Sequence, residues 1–260
     1  MSRAAILGAI QRGLKRGPLP AHERAMLAAR LAAHPRHPIP ARAQVEPAAR
    51  AAQFTAYVER EYGTVARVAS LAEVPGAIAA WLAQHNLSPA LVVSPHPLLT
   101  RVPFGDTPLL ATRIGTATPA DPVSLTAAFA GIAETGTLML PSGPERPTSN
   151  NLLPDNAIVL LRTADIVGAY EDAFDLLRAR PRPDDGAAIA AKSESGRVEF
   201  QRPDDRAAAA AKSESGNINY MPRNVMLVTG PSRSADIEQT LELGAHGPRR
   251  LHILLLDGEG

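Results

Sequence analysis

The chain has 260 residues, of which 45% are apolar and 4% aromatic, and its formal net charge is +1. That composition supports one large domain with a core of Ala, Leu, Val and Ile, and the near-cancelling charge gives a nucleic-acid partner no global electrostatic support. There is no cysteine, which excludes disulfides, Cys-ligated zinc and any iron–sulfur cluster held by thiolates of this chain.

Residues 1–17 place Ile6, Ile10 and Leu14 at helical spacing among Arg3, Arg12, Lys15 and Arg16, with no acidic residue before Glu23. An organellar leader has this look, but an amphipathic helix packing on the domain or a partner is the simpler reading. Residues 18–53 are rich in Pro, Ala, Arg and His, including His34-Pro35-Arg36-His37-Pro38, and read as an extended arm. The boundary is therefore set as 1–52 for helix and arm and 53–260 for the α/β body. Histidines in such an arm are ordinarily solvated, so no metal site is assigned.

Within the body, Phe54, Tyr57, Val58 and Tyr62 suggest a helix, and Val65–Val68 a short strand. Val74–His85 reads as a helix burying Ile78, Trp81 and Leu82, and Ala90–Val93 as a strand. Pro95–Pro108 is a proline-broken loop. Asp121 or Ser124 can cap a helix running to about Ala133. Leu138–Leu140 and Ala157–Leu161 read as strands. Asp165 caps a helix with Ile166, Tyr170, Ala173, Phe174 and Leu177 on one face. Val225–Thr229 is a strand, Ser234–Leu243 a helix closed by Gly244, and Leu251–Leu256 the last strand. The last strand–helix–strand unit has the length of a parallel crossover. Continuous apolar strands alternating with helices indicate a three-layer α/β fold, with a mostly parallel sheet and helices on both faces.

One segment is duplicated. Residues 182–196 read RPDDGAAIAAKSESG and residues 202–216 read RPDDRAAAAAKSESG, which indicates an Ala-rich surface loop copied in tandem, flexible and of minor functional weight. No run of about 18 apolar residues is present, and no secretory signal is recognised, so a cytoplasmic location is expected.

Two loops carry candidate chemistry. Glu134 follows an expected helix, where a carboxylate faces the negative end of the macrodipole at a cost of about 0.3–1 kcal/mol, so a role as base is a reason for its presence. Thr135 and Thr137 add hydroxyls, and Gly136 permits a tight turn or close approach to a ligand. The bland alternative is a plain helix end with an exposed Glu. The second loop is Thr229-Gly230-Pro231-Ser232-Arg233-Ser234-Ala235-Asp236-Ile237-Glu238. It follows a strand and opens an expected helix, whose free N–H groups, with Ser232, Ser234 and Arg233, suit an anion. Simple capping is the alternative. A third turn, Gly244–Arg249, contains His246. The only lysines are Lys15, Lys192 and Lys212, none near these loops, which argues against a Schiff-base or P-loop lysine.

The stretches GIAETGTLML (131–140), LLPDNAIVLL (152–161) and VTGPSRSADIEQTLELGAHGPRRLHILLL (228–256) together resemble the lactate-utilisation protein C family, or LUD domain. The leading SRAAILGAIQRGL is also similar to that family; the duplicated loop departs from it, since the family has a short connection there. The resemblance implies a NagB/RpiA/CoA-transferase-like fold and membership of a bacterial three-protein system that oxidises L-lactate to pyruvate. It implies cysteine-rich iron–sulfur sister proteins as partners, with no intrinsic cofactor here, and a chain that binds a small organic anion or docks partner subunits. Its motifs fall on Glu134, Thr135 and Gly136, on Gly230, Pro231, Ser232, Asp236 and Glu238, on His246 and Gly247, and on Arg146 upstream of the LLP segment. Three readings stay open: a non-cluster subunit of a lactate-oxidising system, a free-standing CoA-thioester or phosphosugar enzyme with Glu134 as nucleophile or base, and a non-catalytic interaction module.

Overall fold

The structure is a computed structural model that describes residues 2–15, 17–180, 221–235, 241–243 and 247–258. The duplicated 182–216 segment, Asp236, Glu238, Gly244 and His246 lie outside the described residues. The chain divides into two compact units, Met1–Ile39 and Pro40–Gly260.

The first unit is two helices, α1 (Arg3–Gly13) and α2 (Ala21–Ala33). Ser2 caps α1, its Oγ accepting from the Ala5 N–H at 3.3 Å. The expected extended arm is thus helical over Ala21–Ala33. An uninterrupted run of strong helix formers between Pro20 and Pro35 outweighs the surrounding prolines.

In the second unit the elements are α3 (Pro47–Arg60), β1 (Thr64–Val68), α4 (Val74–Gln84), β2 (Ala90–Val93), α5 (Pro97–Thr100), β3 (Ala111–Ile114), β4 (Val123–Ala127) and β5 (Ala130–Ile132). They continue with β6 (Thr137–Pro141), β7 (Asn156–Arg162), β8 (Ile166–Val167), α6 (Tyr170–Ala179), β9 (Val225–Val228), β10 (Arg233–Ala235), β11 (Leu241–Leu243) and β12 (Arg250–Leu256). Six strands form a sheet in the order β1-β12-β7-β4-β2-β3, and every adjacent pair is parallel. This is the α/β fold with a mostly parallel sheet that the apolar runs imply.

Alternate residues of the strands enter two cores, because successive side chains point to opposite faces. Ile158, Leu160 and Leu254 pack with Val93, Leu125 and Leu99 against Ile78, Trp81 and Leu82 of α4. Val159, Leu161, Ile253 and Leu255 face Phe54 and Val58 of α3, together with Leu138 and Leu140 of β6. Each fully buried Leu or Ile contributes about 2 kcal/mol.

That second face holds a feature the sequence reading missed. A four-stranded sheet, β8-β5-β6-β9, shares it with α3, and α6 covers the far side of this sheet with Ala173 and Leu177 on Ala130, Ile132 and Met139. The helix expected between Asp121 or Ser124 and Ala133 is instead β4 and β5. Val123–Ala127 is buried at every position and hydrogen-bonds β7, so strand pairing decides a short apolar run that periodicity leaves ambiguous. Asp121 accepts from the Thr118 N–H at 2.7 Å and pairs with Arg113, closing a turn. Likewise Asp165 does not cap a helix. It takes two hydrogen bonds from Arg162, while Asp172 accepts from the Ala169 N–H to start α6.

The last expected crossover is also different. β9 pairs antiparallel with β6 in the second sheet, so it is not the parallel neighbour of β12. Where a helix was expected over Ser234–Leu243, Arg233–Ala235 and Leu241–Leu243 form an antiparallel ladder. The Ser232 N–H is bound by the Pro248 carbonyl at 2.8 Å, which ties the chain down just before β10. No described helix is long and apolar enough to cross a membrane.

Candidate functional site

The two motif loops meet. Thr137 opens β6 and Thr229 follows β9, and antiparallel pairing of those strands brings their hydroxyls within 2.6 Å. Thr135 lies 2.7 Å from Thr137, and the Tyr170 hydroxyl at the start of α6 is 2.9 Å from each. Thr135, Thr137 and Tyr170 thus close a ring of three hydroxyls, to which Thr229 is joined through Thr137.

The turn between them is set by Gly136 at φ +68°, and a Cβ there would lie 2.8 Å from the Val58 backbone nitrogen. Gly230, at φ +85°, approaches the same C-terminal end of α3, where a Cβ would lie 2.6 Å from the carbonyl oxygen of the C-cap Glu61. Both motif glycines thus let loops close on α3. Glu134 is buried and paired with Arg42 at 2.8 Å, and its N–H donates to the Gly168 carbonyl. Arg233 donates to Glu61 at 2.9 Å and lies over the Tyr62 ring, so its charge is already engaged.

Gly230 and Pro231 line an apolar recess with Val159, Ala157 and Leu251, of about 20 Å³, room for little more than a water. Ser234 sits on β10, and with strand pairing on both sides of residues 236–240 no helix N-terminus forms over the described part of this loop. Asp236 and His246 lie outside the described residues.

Arg146 belongs to a different place. Gly143-Pro144-Glu145-Arg146 is a tight turn with reciprocal backbone hydrogen bonds between its first and last residues, and proline presets the backbone inside it. This turn delivers the buried Arg146 side chain to the carboxyl ends of β4 and β7. There it enters a cavity of about 500 Å³ lined by His96, Leu98, Arg101, Phe129, Arg146 and Arg162, among others. The carboxyl edge of a parallel sheet is where ligands bind in open α/β folds. The Gly230 recess lies at the opposite edge, beside Ala157 at the start of β7, about 16 Å from Arg162 at its end. These are two places rather than one cleft.

The cavity floor is held by buried polar contacts. Asn150, fully buried, donates to Ser94 Oγ and the Gly115 carbonyl and accepts from the Ala117 N–H at 2.6 Å, tying together the loops after β2 and β3. Ser94 in turn donates to Thr126 of β4 at 3.2 Å. Pro97 begins α5, and His96 occupies its cap position.

Arg146 Nε donates to the Ala127 carbonyl at 3.1 Å, Nη1 to Glu145 at 2.8 Å, and Nη2 lies 2.6 Å from His96 Nε2. Burial pushes the Arg146 guanidinium below its usual range, and Glu145 pulls it back up. Burial first, and then the Arg146 charge, lower His96 to about 4; Glu145 opposes this and Arg162 adds to it. The ring is therefore neutral at pH 7. Arg162 is held by Asp165, whereas Arg101 has no hydrogen-bond or ion-pair partner among the described residues.

Of the residues named from the sequence, Thr135, Gly136, Thr137 and Gly230 come together, Glu134 turns to Arg42, and Arg146 stands in the cavity. Thr229 opens the second candidate loop, whereas His96, Arg101, Arg162 and Tyr170 were missed as site residues. The available signal for His96 and Arg162 was their position just after the apolar runs Ala90–Val93 and Ala157–Leu161, at the carboxyl ends of buried strands.

Comparisons with known proteins place this arrangement in a family. The chain is 35% identical over 126 residues to an uncharacterised protein of Neisseria meningitidis serogroup B, a match spanning 48% of this chain and 38% of that one. It is 27% identical over 238 residues to the lactate utilization protein C of Deinococcus radiodurans, covering 90% and 91% of the two chains. A namesake from Bacillus velezensis is 27% identical over 135 residues, 52% of this chain and 42% of the relative. A crystal structure of a DUF162 family protein from D. radiodurans shares the fold with a TM-score of 0.51 and 18% identity, over 82% of this chain and 99% of the other. The LUD domain family model matches residues 116–196 and 199–256, more than half of the sequence, and the chain belongs to the LUD domain family.

Proposed function

We propose that this protein is a component of a lactate-utilisation system and that it holds a small organic carboxylate on Arg146. One observation carries the binding reading. Of the five N–H groups of a guanidinium, Nε spends one on Ala127, Nη1 one on Glu145 and Nη2 one on His96. The two that remain, one on each terminal nitrogen, complement the two oxygens of a carboxylate, the bidentate geometry for which arginine is suited. The relatives named lactate utilization protein C support the system-level role. With no cysteine in this chain, thiolate-held iron–sulfur clusters of such a system would reside on partner proteins.

Glu134 gains no support as a thioester nucleophile from this arrangement, because it is shielded and paired with Arg42.

Calorimetric titration with L-lactate and pyruvate tests the proposal. Binding by the wild-type chain is expected, and Arg146→Lys, which keeps the charge but loses the fork, should weaken it roughly 10- to 100-fold with the fold intact by circular dichroism. No binding by the wild type, or unchanged affinity in the Arg146→Lys variant, overturns it.

A further inference from the structure

His96 faces more donors than it can accept. A neutral imidazole has one N–H and one lone pair. Yet the Leu98 N–H points at Nδ1 from 3.2 Å, and Arg146 Nη2 approaches Nε2 at 2.6 Å. Both groups are obligatory donors, so one of them meets the ring's own N–H. The shorter, charge-assisted contact takes the lone pair, which puts the ring proton on Nδ1 against Leu98.

The conflict is released when Arg146 finds another acceptor. The Leu98 N–H is fixed by the backbone in the first turn of α5, whereas Arg146 lines the cavity and keeps one N–H on each terminal nitrogen for an anion there. Once Nη2 is drawn to a carboxylate, Nδ1 accepts from Leu98 as an ordinary helix cap, and the proton moves to Nε2. Nε2–H then becomes a donor beside the Arg146 N–H groups. His96 Nε2 and Arg146 Nη2 are neighbours on the cavity wall, so the two donors face oxygens on neighbouring carbons, a carboxylate and its 2-substituent.

We infer that His96 is a specificity-determining residue that reads an oxygen on the carbon next to the carboxylate, so that the cavity selects 2-oxygenated acids over unsubstituted ones. This rests on the assignment of the carboxylate to Arg146. Selection is not steric, because a cavity of about 500 Å³ admits acids with and without the extra oxygen. It comes from the hydrogen bond, since an acid lacking the oxygen offers the half-buried His96 no acceptor for its Nε2 proton.

The test is calorimetry of the full chain at neutral pH with pyruvate, L-lactate and propionate, on wild type and His96→Phe. Wild type is expected to prefer the 2-oxygenated acids by roughly tenfold or more, and His96→Phe to lose that preference while keeping propionate affinity. Equal affinities in wild type, or a preference that survives in the variant, overturn the role of His96. Failure of all three acids to bind wild type would instead sink the Arg146 assignment itself. Should His96→Phe not fold, nitrogen-15 NMR of wild-type His96 reads the tautomer directly. A move of the proton from Nδ1 to Nε2 on adding pyruvate supports the switch, and an unchanged tautomer overturns it.

Discussion

Gly136→Ala is expected to destabilise the protein by about 3 kcal/mol or more, the sum of left-handed backbone strain and overpacking. The residue stands at φ +68°, where a Cβ crowds the carbonyl, and the space a Cβ would need is taken. It would lie 2.7 Å from Tyr57 Cβ, 2.8 Å from the Val58 backbone nitrogen and 2.9 Å from the Tyr57 carbonyl carbon. Helix backbone cannot step aside as a flexible side chain can, and α3 is anchored by the fully buried Phe54 and Val58. Relief would require lifting the 134–137 turn off α3, which would pull Thr137 away from Thr229. Urea denaturation checks this, with Gly143→Ala as the matched control. A Cβ at Gly143 meets nothing within 4 Å, so that change should stay within about 0.5 kcal/mol of wild type. A Gly136→Ala midpoint equal to the control would show that this turn does not close on α3.

The second large effect is acid sensitivity from His252. Its ring is buried in β12, stacked on Trp81 with centroids 4.9 Å apart, and its Nδ1 meets the Thr64 hydroxyl at 2.8 Å. Its Nε2 and the Trp81 Nε1 have no hydrogen-bond partner among the described residues. Burial first, and then the nearby His85, lower the ring from 6.5 to about 4, and Thr64 opposes this. In the unfolded chain the ring takes a proton below about pH 6.5, whereas in the folded chain it does so only near pH 4. Between those values the unfolded state binds more protons, so stability rises with pH across this window. The contribution is whole above pH 6.5 and is lost as pH falls toward 4, by an amount on the order of 3 kcal/mol. His96 adds in the same direction. Urea unfolding over this pH range should show the decline, and His252→Phe, which preserves a ring against Trp81, should make it shallower. An identical pH slope in wild type and His252→Phe would refute the assignment.

Much of the parallel sheet was legible in the sequence because its strands are continuous apolar runs. Ala90–Val93 has the same bounds in the structure, Ala157–Leu161 gains a residue at each end and Leu251–Leu256 gains one at its start. A strand buried on both faces has to be apolar throughout, and that burden is visible in one dimension. Val74–His85 was legible as a helix for the complementary reason, a buried face repeating at helical spacing. The motif glycines were also readable as turn positions, although the surface they approach is α3.

What the sequence could not determine is which residues face one another. The run Val123–Ala127 is compatible with a helix or a buried strand, and only its pairing with β7 chooses. The second sheet exists because β9 returns beside β6, and the Thr137–Thr229 contact joins residues 92 apart in the chain. His96 and Arg146 are 50 residues apart and meet because β2 lies beside β4 while the turn after β6 folds over the carboxyl ends of β4 and β7. Local propensity and periodicity report on a residue and its near neighbours. Strand order and the packing of distant segments are settled by the summed burial and hydrogen bonding of the whole fold, and the cavity is a product of those terms.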